Sequence, residues 1–235
     1  MSRKKKNNFV MKIYRDKNVD RVNTLIDMLG NDFKMDAYTF ISMQVITTII
    51  IFVLLIYIVK LGYIIAPFIS IIYYYLFNYF LLLIPVKKRG QKLEHEALYF
   101  FEILTLTMES GKNLENSLEV TVLNVDSELS NEFKRTLVEV KFGKSLIEAL
   151  NDMKKRIPSE TINNIILNIT QSNLFGNSIL DTMNNQIEFL RDKQILEIKG
   201  LINKIPNKIS IISVVFIVPL ILLMILGPVL INFLG

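Results

Sequence analysis

Glu94, His95 and Glu96 are the one place in this 235-residue chain where a histidine stands between carboxylates. Such a grouping suits general acid–base or zinc chemistry only when further ligands recur at helical spacing. One turn beyond Glu94 the chain has Leu98 rather than a second histidine or acid. The chain has no other histidine and no cysteine, so thiolate metal sites, cysteine nucleophiles and disulfides are excluded. The pairs Gly111-Lys112 and Gly143-Lys144 are the next candidates, because a Gly-Lys pair closes a phosphate-binding loop. The rest of that motif is missing and no strand-like segment precedes either pair. The expectation is therefore no catalytic residue, no metal and no cofactor, in a protein that is not an enzyme.

The same Gly-Lys pairs have a different use. The phrases Gly111-Lys-Asn-Leu-Glu-Asn-Ser-Leu118, Gly143-Lys-Ser-Leu-Ile-Glu-Ala-Leu150 and Gly176-Asn-Ser-Ile-Leu-Asp-Thr-Met183 recur at intervals of 32 and 33 residues. A glycine suits the left-handed position just past a helix, and Asn113, Ser145 or Ser178 two residues later suits the N-cap of the next. Leu114 and Leu146 then open their helices. Glu148 completes a capping box with Ser145, and Asp181 offers a shorter variant. A period of this length is that of repeated helical hairpins. Apolar stripes mark six helices: Ala97, Phe101, Leu104 and Met108; Leu114, Leu118, Val122 and Val125; Leu129, Phe133, Leu137 and Val140; Leu146, Leu150 and Met153; Ile162, Ile165, Ile166 and Ile169; Ile179, Met183, Ile187 and Leu190. Pro158 and Ser159 separate the fourth from the fifth. Charge pairs such as Glu132 with Lys134 and Arg135, or Glu188 with Arg191 and Asp192, read as solvated faces.

These elements must be set against a membrane. In the apolar run Tyr38–Val59 the only strongly polar side chain is Gln44, in Tyr63–Val86 it is Asn78, and Ile209–Leu234 carries no charge; each exceeds the roughly 20 residues that cross a core of about 30 Å. Gln44 and Asn78 are expected to hydrogen-bond between spans. Residues 1–37 carry nine Lys/Arg against five Asp, and Lys87, Lys88, Arg89 and Lys92 crowd the exit of the second run. Basic flanks stay in the cytoplasm. The expected organisation is a basic N-terminal segment (1–37), a two-span hairpin turning at Lys60 (38–86), a cytoplasmic domain (87–208) and a last span (209–235). The fold class is all-α: three transmembrane helices with a cytoplasmic six-helix bundle of three αα-hairpins. Residues 87–208 hold seventeen Lys/Arg and seventeen Asp/Glu. The net charge of +5 is thus a topology and anionic-lipid signal, not one for nucleic acid. A basic start followed by a long polar stretch is unlike a cleaved secretory signal. Within the N-terminal segment, Val19–Leu29 forms one short amphipathic helix, with Asn18 as its cap and Gly30 as its stop. Its stripe of Val22, Leu25, Ile26 and Leu29 packs on its own domain, on the membrane surface or on a partner.

These motifs resemble those of the type II secretion system F family, the inner-membrane platform proteins of type II secretion, type IV pili and tight-adherence pili. The family's Ser/Ala-Gly-x-x-Leu-x-x-Ala-Leu phrase is matched by Ser110, Gly111, Leu114, Ser117 and Leu118. Its second phrase is matched by Gly143, Ser145, Leu146, Ala149 and Leu150, and its third turn by Phe175, Gly176, Ser178 and Ile179. The closing span has Lys204, Pro206, Pro219, Gly227 and Pro228 where relatives place Lys-x-Pro, a mid-span proline and Gly-Pro. An acid common before the third turn is replaced here by Ser172, Asn173 and Leu174.

The resemblance covers about residues 87–235 and, with one helical domain only, is to the shorter type of tight-adherence systems. It implies a platform in a prokaryotic plasma membrane, with the N-terminus and residues 87–208 in the cytoplasm. Its partners would be a secretion ATPase, a pilin or pseudopilin, and a paralogue or a second copy. Lys87, Lys88, Arg89, Pro219, Gly227 and Pro228 are the candidate membrane or partner contacts. The alternative class, a small transport subunit or a membrane-anchored signalling scaffold, has no matching residues.

Overall fold

The computed structural model describes residues 16–30, 35–58, 62–175 and 178–234, which are helical almost throughout and contain no strand. The expected turns at Lys60 and Gly176 lie outside these residues. Helix α1 is Asp16–Asp27. It begins two residues before Asn18, so Asn18 lies in its first turn and is not its cap. Gly30, with φ of 79°, follows its last turn, a conformation that glycine adopts without the steric cost of a Cβ. Val22, Leu25, Ile26 and Leu29 pack on a cluster of Val19, Ala37, Phe40, Ile41, Phe77 and Leu82. The amphipathic stripe is thus spent on the adjoining ends of the first two apolar helices.

Those helices are α2 (Ala37–Ile58) and α3 (Gly62–Asn78). Gly62, Ala66 and Ser70 of α3 recur every four residues and are all buried. Small residues at this spacing let two spans approach closely without a large apolar driving force. At Gly62 the approach is so close that a Cβ would overlap the Leu55 carbonyl oxygen. The buried Gln44 reaches across, its Nε2 donating to the Tyr74 carbonyl at 3.0 Å. Asn78 does not match this arrangement, since its Oδ1 is buried without a hydrogen bond. Outward positions such as Ile46, Ile49, Ile50 and Val53 are more than half exposed, as expected where the surrounding solvent is lipid.

From α3 the chain passes through a π-helical segment, Tyr79–Leu83, into α4, Ile84–Glu109. The helical path is continuous for 48 residues from Gly62 to Glu109, so the second apolar run has no break where its polar continuation begins. Pro85 accounts for the π segment. Its ring would collide with the carbonyl four residues back in a regular helix and it has no N–H to give, and a wider turn just before it relieves both problems.

Helices α5 (Leu114–Asn124), α6 (Glu128–Lys141), α7 (Leu146–Arg156) and α8 (Glu160–Phe175) follow. Each start has a side-chain cap: Asn113 accepts from Asn116 N, Ser127 from Ser130 N, and Ser145 forms the full capping box with Glu148. Ser159 Oγ accepts from Ile162 N at 3.1 Å. Their apolar stripes meet in one core around the fully buried Phe100, Phe101 and Phe133. Phe100 stacks on Phe133 with ring centroids 4.5 Å apart, and Phe101 meets Phe133 edge-on. Between Leu104, Leu118, Leu150, Ile166 and Ile169 only about 10 Å³ remains open, about the space of one water-sized sphere.

Helix α9 (Ile179–Ile202) begins after Ser178, whose hydroxyl accepts from Asp181 N at 3.2 Å. Helix α10 (Lys204–Leu234) follows a single turn residue, Asn203. The chain divides into two compact units within α9, residues 1–186 and 187–235. In the second, Ile209–Leu226 is long and apolar enough to cross a membrane, as are Ala37–Ile58 and the Gly62–Glu109 path in the first.

Two helical glycines make opposite predictions. A Cβ on Gly90 would overlap the Pro158 carbonyl oxygen, whereas one on Gly200 would meet nothing within 4 Å. Gly90→Ala should lower stability by about 1–3 kcal/mol through overpacking. Gly200→Ala should raise it by about 0.5–1 kcal/mol through helix propensity. Thermal unfolding of the detergent-solubilised chain, followed by circular dichroism, separates the two.

Candidate functional site

The basic run at the start of α4 divides by helical phase. Lys87 and Lys88 are exposed, but Arg89 is turned inward and is 8% exposed. A guanidinium buried this deeply must have its donors satisfied. Its Nε donates to Glu128 Oε1 at 2.6 Å and its Nη2 to Glu132 Oε1 at 2.7 Å. Its Nη1 donates to the carbonyls of Met28 and Arg156 at 2.8 and 3.0 Å. One side chain thereby joins α4, the turn after α1, the start of α6 and the end of α7. Arg89 is a structural hub and does not project toward lipid or a partner.

The pairing continues along α6. Glu132, buried and not the solvated charge expected from the sequence, also receives Arg156 Nε at 3.4 Å. Arg156 reaches Glu139 at 3.0 Å and Thr136 at 3.3 Å. Lys144 then bonds Glu139 at 2.6 Å and Asp152 at 2.9 Å. Burial pushes the Glu128 carboxyl up, but hydrogen bonds from Arg89 and Lys92 outweigh it and leave its pKa below the ordinary value of 4.5. The Lys144 hydrogen bond holds Glu139 low, and Lys155 with Lys144 brings Asp152 to about 2. Because Glu128, Glu132, Thr136 and Glu139 are spaced at three and four residues, they form one polar edge of α6 beside its apolar stripe. That spacing was visible in the sequence, but of the cations that answer it only Lys144 is near in the chain, and Arg89 and Arg156 come from other helices.

The acids beside His95 serve the same architecture. Glu94 accepts from the Ser159 hydroxyl at 2.7 Å, and Glu96 from Leu129 N at 2.9 Å. Each carboxylate therefore sits at a helix start, where unpaired amides and the dipole favour negative charge. His95 is exposed. Among the described residues no group of three or more His, Asp or Glu is placed to hold a metal.

A polar cleft of about 650 Å³ opens beside the hub, lined by Lys92, Asp126, Asn131, Lys134 and Arg135 together with the ion-paired groups. The turns lie at the other end. Because Arg89 meets the start of α6 and the end of α7, the connection at Gly143 falls at the opposite ends of those helices, and Gly111 joins the far end of α4 to α5. Both glycines have positive φ, 89° and 99°. Asn113, Leu114, Ser145 and Leu146 follow them, and Phe142, 86% exposed, caps α6 there. Ser178 stands between α8 and α9, with Ser172 and Thr182 hydroxyls bonded across that connection at 2.7 Å. Pro219, Gly227 and Pro228 are within the single helix α10. The arrangement consists of a rigid set of helices, a charged hub at one end and exposed turns at the other.

The sequence pattern that defines the family described as Type II secretion system (T2SS), protein F matches residues 100–227, more than half of the chain. No significant match was found among curated proteins or among solved structures.

The hub makes two predictions. Arg89→Gln removes the guanidinium that Glu128 and Glu132 share, leaving them only Lys92 and the longer contact to Arg156, and should cost about 3 kcal/mol, read as a loss of thermal stability at pH 7. Glu128 has a lowered folded pKa, so its contribution is complete above 4.5 and is lost as pH falls through the folded value. Stability should therefore decline on acidification below about pH 4.5, and Glu128→Gln should decline less steeply across that window. Unfolding midpoints at several pH values for both chains provide the test.

Proposed function

This chain belongs to the type II secretion system protein F family, membrane platform proteins of type II secretion and type IV pilus-like systems, and we propose that it couples a cytoplasmic secretion ATPase to the movement of pilin or pseudopilin subunits at the membrane. In this reading it has no enzymatic activity. The N-terminus and residues 87–208 lie in the cytoplasm, with the latter working as a six-helix bundle of αα-hairpins. The last span begins near Ile209.

The observation that carries the proposal is the 48-residue helical path from Gly62 to Glu109. An apolar helix that continues without a break into a well-packed polar domain transmits a push or rotation, because packed helices move as units. The turns at Gly111 and Gly143, with Phe142 between α6 and α7, form the surface offered to the ATPase. Pro219 and Pro228 shape the last span toward a pilin, since proline disturbs the helical ladder and leaves carbonyls to be satisfied by a neighbour. A second copy or a paralogous platform protein completes the assembly. The basic residues Lys87 and Lys88, exposed at the start of α4, suit anionic headgroups.

Copurification of the tagged full-length protein from its native host in mild detergent, with mass spectrometry of bound proteins, tests the reading. A hexameric secretion ATPase and a prepilin are expected. A reproducible complex lacking both, with a solute-binding or signalling protein instead, would overturn it. Within the same host, Pro219→Leu should slow pilus assembly without lowering the amount of platform protein in the membrane.

A further inference from the structure

Residues 16–30 hold both sides of the place where the second apolar helix becomes the polar α4. On one side, the apolar stripe of α1 covers Leu82 of the π segment together with Phe40 and Phe77. On the other, the Met28 carbonyl accepts from Arg89 Nη1 at 2.8 Å. Gly30 lies so close that a Cβ there would be 3.0 Å from Arg89 Cζ. The first anchor point, Leu82, lies within the π turn, and Pro85, which has no backbone N–H to give, lies between it and Arg89. Next to the π turn, Asn78 Oδ1 is buried with no hydrogen bond.

We infer that residues 16–30 act as a strap across this junction: they hold the π segment and the start of α4 in a single geometry, and their release lets α4 pivot at Tyr79–Pro85. The arrangement has the parts such a device needs. The hinge is a short segment where the helix passes from π to α register and Pro85 has no backbone N–H to give. The strap is a short helix that is marginal without its docking surface, so its release costs less than unfolding the domain. The two attachments differ in chemistry, one apolar and one a charge-assisted hydrogen bond, and either can be removed alone. The inference goes beyond the platform reading and rests on the junction's geometry, not on the identity of any partner.

Amide hydrogen exchange of the full-length chain in lipid nanodiscs tests it, comparing the unmodified protein with Ile26→Asp, which removes apolar contact from the strap and leaves Arg89 intact. The expected result is exchange at Leu82–Arg89 at least about tenfold faster in the variant, with protection kept in Phe100–Leu104 and Leu129–Leu137. Unchanged exchange at the junction, despite loss of protection in residues 19–29, would show that the segment braces nothing. Loss of protection throughout the core would show that it is simply part of the fold, and would equally overturn the inference. The absence of native cysteine allows a second readout from spin labels at Met43→Cys and Lys112→Cys. Their distance distribution should broaden in Ile26→Asp, and an unaltered distribution counts against the strap.

Discussion

Burying one guanidinium sets most of the geometry of the first unit. Arg89 comes out of water at the point where the chain leaves its second apolar helix, and the desolvation of a charged group is repaid only if its donors find partners with good geometry. Those partners are carboxylates four residues apart on α6 and carbonyls at the ends of two other elements. No single neighbouring helix can provide all of them. Satisfying Arg89 therefore fixes the height of α6 against α4, the end point of α7, and the place where the N-terminal turn must dock. The close approach of Gly90 to Pro158 follows from the same placement, since the α7–α8 connection is drawn against the next residue of α4.

Two solvents act on this chain, and their boundary falls inside one helix. Beyond the cluster at Phe40, Ile41 and Phe77, α3 turns the small Gly62, Ala66 and Ser70 inward while large side chains such as Ile46, Ile50 and Ile72 face outward, because lipid rewards apolar exposure and leaves close backbone packing to hold the spans together. From Leu93 onward the arrangement reverses, and Leu93, Ala97, Phe101 and Leu104 are buried. A helix crossing such a boundary has to change the face it buries. The π turn before Pro85 shifts the phase of the helix at the point where the change is required.

Most helices, the caps at Asn113, Ser145 and Ser178 and most of the core were legible in the sequence, because apolar periodicity and Gly-x-Ser/Asn turns are local signals. The stripes on α4 and α8 name residues that are all buried, and Ser145 with Glu148 forms the box that their spacing implies. Phe100 and Leu93, both fully buried, lie outside the stripe chosen for α4, whose apolar face is wider than one row because it meets several neighbours. The hub was not legible. Arg89 stands in a run of basic residues that looks uniform, and the groups that distinguish it lie 39, 43, 61 and 67 residues away. Local patterning has no means of pairing residues across that distance, so both Arg89 and Glu132 read as surface charges.

Rigidity is unevenly distributed in the first unit, and this bears on any motion it transmits. Helices α4 to α8 share a core with almost no free volume and a ladder of ion pairs from Arg89 to Asp152. Deforming it would cost packing contacts and charge partners together, and close-packed interiors yield little. The first two spans meet at a close backbone approach at Gly62, with Ala66 and Ser70 buried on the same face. Between these two stiff bodies the connection is a π turn, a proline and an orphaned Asn78 oxygen, braced by one short helix. While the short helix stays docked, a force applied at the exposed turns beyond α4 and α6 would therefore pass through the braced junction to the spans and leave the helical core intact; once that helix is released, the displacement would concentrate at Tyr79–Pro85.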